Sequence, residues 1–482
     1  MPTASQHYTP KSSWFLRLPQ ELLDEILSDL EHRDLVCLAL ASRACSALVI
    51  PRHTEYRVIR TRHLLPAMWA HLARRADLTR NIREVHICER PNKTASDRIP
   101  KTLLDRVVDD KVANVVEGRR VRNICTALGH MRRLHTFTWS WEIRPPCVPT
   151  IEPGHENAIL EVLSRKKALR HLGLAGLFGM HAPSVAYDPD SSLYPLWRFS
   201  NLTSISLRGD TWVKPGNALH LKRLLSRSIG LEYMEVPMEL SALAECKFPH
   251  LKKLNLFLQS GGIRSIDPCI VRFLNDHPTI EDLSWLPLGP VFILPGTLPA
   301  LKRLRTNIQV VGMLESQSIE SLDIYQLDPA ILVELKNLHC GSVRNVKLHA
   351  FGDLPLMYQL AESFCNLTWL SMPSRYGHFS LVRSLCLRLR IWDDWLDLLP
   401  RFKKLEVFRG QGLWAAVTLD MQRMHGVIMQ LVQMCPNLRQ LDHCAHNQAR
   451  DDWNRITIIR EGPQGVNVRY RVRCWFRRWT IH

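Results

Sequence analysis

Leu251-Lys252-Lys253-Leu254-Asn255-Leu256 places apolar residues at the first, fourth and sixth positions of a short phrase. The same spacing returns at Ile82/Val85/Ile87, Leu169/Leu172/Leu174, Leu202/Ile205/Leu207 and Leu231/Met234/Val236. It returns again at Ile319/Leu322/Ile324, Val343/Val346/Leu348 and Leu367/Leu370/Met372, with less complete copies starting at Ile280, Leu301, Phe402 and Leu438. Fourth and sixth positions share one face of a strand, because side chains alternate with a period of two. A proline or an amide precedes many copies, as at Pro249, Pro278, Pro299, Asn366 and Asn437, and each reads as a turn delivering the chain into a strand. Between copies run apolar residues at helical spacing: Ile159, Leu160, Val162, Leu163; Leu221, Leu224, Leu225; Val427, Ile428, Leu431, Val432.

Strand, turn and helix recurring every roughly 20–35 residues mark a leucine-rich solenoid. The expected fold is α/β: over residues 81–450, an irregular leucine-rich-repeat solenoid with a curved parallel sheet and outer helices. The spacing is ragged and the usual Asn after the strand is mostly absent. A generic α/β domain with parallel strands shares the alternation; the number of recurrences argues for the array. A length of 482 residues also exceeds one core, which stops growing near roughly 250–300 residues. Polar stretches Glu89–Lys101 and His181–Ser192 read as loops. Arg455–Arg460 and Val466–Val472 alternate on either side of Glu461-Gly-Pro-Gln-Gly465 and read as a β-hairpin capping the array over residues 451–482.

If the first, fourth and sixth positions face the core, the third and fifth line the concave sheet. That row holds Glu84, His86, His171, Ser204, Ser206, Tyr233, Glu235, Lys253 and Asn255, then Arg303, Arg305, Ser321, Asp323, Asn345, Lys347, Trp369 and Ser371. Candidate substrate-binding residues are Tyr233, Lys253, Arg303, Arg305, Asn345, Lys347 and Trp369. Four of them are cationic, and arginine engages carboxylate and phosphate bidentately, so an acidic or phosphorylated segment is the expected ligand.

The N-terminal text differs. Residues 1–13 are polar and read as a disordered tail. Pro19 suits a first helical turn, Glu21 sits near the positive helix start, and Leu22, Leu23, Ile26, Leu27 and Leu30 form one helical face. Asp34 reads as the N-cap of a second helix carrying Leu35, Leu38, Cys45 and Leu48 and ending at Pro51. Residues 14–60 are too short to bury their own apolar surface well; they read as a helical module offering apolar surface to a partner, or as a helical cap of the larger domain. A linker helix is expected over 61–80.

Leu18-Pro19-x-Glu21-Leu22-Leu23-x-x-Ile26-Leu27-x-x-Leu30, then Asp34-Leu35-x-x-Leu38-x-x-x-Ser42-Arg43 and Leu48, resembles the F-box motif. Ile50-Pro51 and Tyr56-Arg57-x-Ile59 resemble the exit segment of fungal F-box proteins, and the ragged repeats resemble those of many F-box receptors. Cys45 departs from the pattern, where many F-boxes carry Trp. The resemblance implies docking onto a Skp-type adaptor and, through it, a cullin–RING ubiquitin ligase. Leu18, Pro19, Leu22, Ile26, Leu27, Leu30, Leu35 and Leu38 would form or support the docking surface.

The formal charge of +17 draws anionic partners. Arg119, Arg120 and Arg122, Arg132 and Arg133, and the tail Arg471–Trp479 mix cations with aromatics in places, which keeps nucleic-acid binding as the rival class, although no recognised reading module appears. An F-box scaffold acting outside a ligase is a further alternative. The 13 cysteines lack paired spacing and read as reduced, buried thiols. His443-Cys444-x-His446 lacks a second pair at zinc spacing. No nucleotide-loop, metalloprotease or nucleophile-elbow motif is present. The chain is therefore expected to be a non-enzyme without cofactor or metal, and cytoplasmic or nuclear, since it shows no signal-type segment and no span-length apolar run.

Overall fold

A computed structural model of the protein describes residues 14–50, 52–61, 66–88, 117–141, 153–176, 195–209, 212, 215–237, 245–257, 267–287, 291–294, 296–307, 319–337, 341–350, 354–372, 392–410, 412–415, 421–447, 452–461, 467–473 and 478–481. The expected tail at 1–13, the two expected loops and the turn at 462–466 lie outside them. Among the described residues the chain divides into two compact units, up to Arg198 and from Phe199 onward.

The first unit opens with three helices, α1 (Gln20–Asp29), α2 (His32–Ala41) and α3 (Arg43–Val49). Strands β1 (Val58–Thr61), β2 (Glu84–Cys88), β3 (Thr136–Trp141) and β4 (His171–Gly176) follow and pair in parallel in that order. Helices Pro66–Arg74, Ala76–Thr79, Glu117–His130 and Pro153–Ser164 lie between them in sequence. Residues 61–80 thus hold the end of a strand and two helices. Ile59, Val85, Phe137 and Leu172 are register partners and all buried. Leu134/Phe137/Trp139 is a further copy of the phrase, with aromatics in place of the usual leucines, and Tyr56/Ile59/Thr61 is another.

The second unit continues the pattern with β5 (Ser204–Arg208), β6 (Tyr233–Pro237), β7 (Lys253–Phe257), β8 (Asp282–Ser284), β9 (Arg303–Thr306), β10 (Ser321–Ile324), β11 (Asn345–Leu348), β12 (Trp369–Ser371), β13 (Val407–Arg409) and β14 (Gln440–Asn447). These pair in parallel in sequence order. Fourth-position residues run Ile205, Met234, Leu254, Leu283, Leu304, Leu322, Val346, Leu370, Phe408 and Leu441, at most 2% exposed; each such side chain contributes about 1.5–3 kcal/mol by leaving water. The expected hairpin is present as β15 (Asp452–Glu461) and β16 (Asn467–Arg473), antiparallel. It is part of a larger meander, since β14 pairs antiparallel with β15 and a last strand, β17 (Arg478–Ile481), with β16.

One turn recurs ahead of the phrase. The backbone N–H of its first residue donates to the carbonyl three residues earlier: Leu231 to Ser228, Leu251 to Phe248, Ile280 to His277, Leu301 to Leu298, Leu367 to Phe364 and Leu438 to Cys435. This turn corrects one copy. Leu405 donates to Phe402, and Phe408 pairs with Leu370, so that phrase begins at Leu405. Phe402 is the buried turn residue, three places upstream of the expected register. Polar residues just before the phrase tie neighbouring repeats together. Thr279 and Ser342 donate to Leu251 O and Ile319 O, and Asn366 and Asn437 to Gly341 O and Lys403 O, at 2.8–2.9 Å.

Candidate functional site

The three N-terminal helices share a core of Leu27, Leu35 and Val49, with Phe15, Leu30, Leu38, Ala39 and Leu48 packed against it. The second helix begins at His32, with extended Glu31 in the cap position and no side-chain cap. Asp34 therefore lies in the first turn, a correction to its reading as the cap. Nor does that helix run to Pro51: Ser42 is extended, at φ −161° and ψ 161°, and its Oγ accepts from Cys45 N at 3.0 Å. The break starts α3, because a serine in this conformation satisfies a backbone donor the continuous helix would otherwise have used.

The proposed docking residues divide by burial. Leu27 and Leu35 are fully buried, and Leu30 and Leu38 are partly buried against them. Leu18 is half-buried, whereas Pro19, Leu22 and Ile26 are exposed. Val36 and Leu40 on α2 add an apolar strip that the sequence reading missed, Leu40 being 80% exposed. Their i, i+4 spacing on the side away from Leu35 was the available signal.

Helix α1 is bolted to the rest of its unit. Buried Asp24 accepts from Gln20 at 2.9 Å, contacts His53 Nε2 at 3.1 Å and pairs with Arg80 Nη2 at 2.6 Å. Arg133 donates to Asp24 O at 2.9 Å and Arg57 to Leu30 O at 2.7 Å, the latter a cation on the last carbonyls of α1. Burial alone would raise the Asp24 pKa, but hydrogen bonds from Gln20 and His53 and the charge of Arg80 hold it below its ordinary value. Burial lowers the pKa of His53, and Asp24 only partly offsets this. The pair is therefore a neutral imidazole donating to a carboxylate.

The seven candidate substrate-binding residues all lie on one sheet face of the second unit. Tyr233, Lys253, Arg303, Asn345 and Trp369 stand at the third position, and Arg305 and Lys347 at the fifth, in continuous register. The face is of mixed charge. Asp282, in the incomplete copy from Ile280, sits between Lys253 at 3.1 Å and Arg303 at 3.3 Å. Asp323 faces His349 at 2.6 Å, Lys347 at 3.3 Å and Arg305 at 3.8 Å. Glu235, expected to line the face, is 3% exposed and committed to Ser206, Arg208, Tyr233 and Asn255. Lys253 also lies 5.6 Å from the Tyr233 ring centroid, within cation–π range. In the first unit, His86 is held by Thr138 at 2.7 Å and Glu84 at 3.3 Å.

The basic clusters are partly structural: Arg120 is buried, and Arg133 holds α1. The side chains of Cys444 and His446, and those from 473 onward, lie outside the described residues. Among the described residues no three His, Cys, Asp or Glu side chains are placed to hold a metal ion, and no helix is long and apolar enough to cross a membrane.

A small helical module with exposed apolar strips precedes a long ladder of parallel strands and helices in sequence. Residues 15–50 match the family model of the F-box domain: the chain carries an F-box, and that domain implies a protein-interaction adaptor. No relative is found among curated proteins. Among solved structures, a TLR13–ssRNA13 complex is similar at 16% identity and TM-score 0.26, covering 70% of this chain and 41% of that one. A TDR receptor is similar at 13% identity and TM-score 0.23, covering 59% and 60%. The chain thus spans less than two thirds of either.

Proposed function

We propose that the chain is the substrate-recognition subunit of a Skp–cullin–F-box-type ubiquitin ligase. The F-box docks the adaptor, and the sheet face of the second unit captures a protein substrate. The observation that carries this reading is the F-box match combined with Pro19, Leu22, Ile26, Val36 and Leu40 left outside the module's own core. The repeats are read as leucine-rich, and the setting as cytoplasmic or nuclear. In this role the chain makes and breaks no bonds; it raises the local concentration of substrate beside the recruited conjugating enzyme.

The test is co-purification of the full chain with a Skp-type adaptor and cullin. Wild type is expected to carry both, and Leu22→Asp/Ile26→Asp neither. An adaptor retained by that variant would overturn the docking surface, and an adaptor bound without cullin would point to a scaffold outside a ligase.

A further inference from the structure

Register sorts six charged side chains of the second unit into two triads. At the third position Lys253, Asp282 and Arg303 are neighbours across β7, β8 and β9. At the fifth, Arg305, Asp323 and Lys347 are neighbours across β9, β10 and β11. Each triad is a carboxylate between two cations. Asp282 Oδ2 receives both Lys253 and Arg303, and Asp323 Oδ2 both Arg305 and Lys347. The carboxylates are 18% and 22% exposed, the four cations 41–63%. Each triad therefore presents one unit of uncompensated positive charge to solvent, leaving His349 aside.

The two arginines of β9 share a face, yet they lean apart. Arg303 turns its Nε toward β8 and Arg305 toward β10, and among the described residues their terminal nitrogens make no hydrogen bond. Closing both guanidinia on one tetrahedral anion would pull each from its own carboxylate. The face is built for two separated negative charges instead. The triad centres are offset by two strands and two residues, about 12 Å on the diagonal from standard sheet spacings. A fully extended peptide covers that distance in roughly three to four residues, and of these only a separation of four returns the side chain to the same face.

We propose that this face binds an extended acidic protein segment with two carboxylates four residues apart, one seated on each triad. The inference rests on the substrate-capture reading above and names the chemistry that would be captured. A singly phosphorylated segment fits less well, because one group cannot reach both triads.

The test uses the full chain and fluorescein-labelled glycine–serine peptides carrying two glutamates at stepped separations, read by fluorescence anisotropy at low and moderate salt. A matched peptide with one phosphoserine and no glutamate, and a single-stranded RNA, serve as competitors. Binding should peak at a separation of four and fall at three and five, where the second carboxylate faces away. Arg303→Glu and Arg305→Glu should each weaken that peptide by about fivefold or more, as for loss of one exposed ion pair and its replacement by repulsion, and the double reversal should abolish the spacing preference. Asp282→Asn should tighten binding. Arg303→Gln/Arg305→Gln, with thermal unfolding measured alongside, separates lost contacts from lost folding. Absent binding, no dependence on separation, stronger binding of the phosphopeptide or the RNA, or unchanged binding by the glutamine variant would each overturn the proposal. Adaptor co-purification from the same preparation separates the two readings: adaptor bound without peptide sinks this inference alone, and peptide bound without adaptor sinks the ligase role alone.

Discussion

Asp24 and His53 give the first unit an acid-sensitive joint. The Asp24 pKa lies below its ordinary value of 3.8 in the folded protein, so its contribution is present above that value and fades as pH falls through the folded pKa. The His53 pKa also lies below its ordinary 6.5. The unfolded chain therefore takes up a proton first, and stability declines as pH drops from near 7 through the range below 6.5. His277 acts in the same direction in the second unit. Its Nε2 accepts from Phe248 N at 2.8 Å, its Nδ1 donates to Phe273 O at 2.6 Å, and burial depresses its pKa. A protonated ring would lose the first of these bonds. Thermal unfolding of the first unit should therefore weaken between pH 7 and 5, and His53→Gln, which can still donate to Asp24 without titrating, should flatten that slope; an unchanged slope would reject the assignment. Burial separates a second pair of outcomes. Leu27→Ala should cost about 2–5 kcal/mol by opening a cavity and reduce adaptor capture only through unfolding, whereas Leu22→Asp should leave the melting curve in place and remove capture.

At the scale of the element, the recurring turn explains what was legible and what was not. The strands were legible because the first, fourth and sixth positions carry the core at every repeat. The copy at Leu405 was not, because Phe402, Leu405 and Val407 satisfy the same spacing and only pairing with β12 fixes the register. The copy at Leu134 escaped because Phe137 and Trp139 fill positions usually held by leucine. The charged face was half legible: alternation put Lys253, Arg303, Arg305, Lys347 and Asp323 outward, but Asp282 lay in an incomplete copy, and the pairing of each carboxylate with its cations acts across strands, where no local pattern announces it. The turn after β13 makes a prediction of its own. Gly410 has φ +131°, a Cβ there would lie 3.0 Å from Met372 O, and its N–H donates to Asp442. Gly410→Ala should cost about 1–3 kcal/mol through backbone strain, visible as a lowered midpoint in urea, and an unchanged midpoint would show that the turn can relax.

At the scale of the whole molecule, the F-box is not an appendage. Its first helix is held by Arg57, Arg80 and Arg133, and the last two come from well beyond the motif. The motif was recognisable because its apolar spacing is local, while its anchorage was hidden because Asp24 reads in sequence as one more solvated acid on a helix. This has a measurable consequence. A fragment of residues 10–60 keeps the apolar strips of α1 and α2 and the His53 and Arg57 contacts, but lacks Arg80 and Arg133, which leaves the Asp24 carboxylate without its charge partner. Arg80 is 41% exposed, so losing it costs well below the ~3–5 kcal/mol of a fully buried pair, and less again in a fragment where water can reach Asp24. The fragment should thus be markedly less helical and bind adaptor more weakly than residues 10–198, by calorimetry at matched concentration. Arg80→Ala/Arg133→Ala in the full chain should reproduce part of the deficit while leaving the charged face of the second unit unaffected. Equal affinity and helicity for the two fragments would mean that the module folds and docks on its own, and that the Asp24 joint only holds it in place.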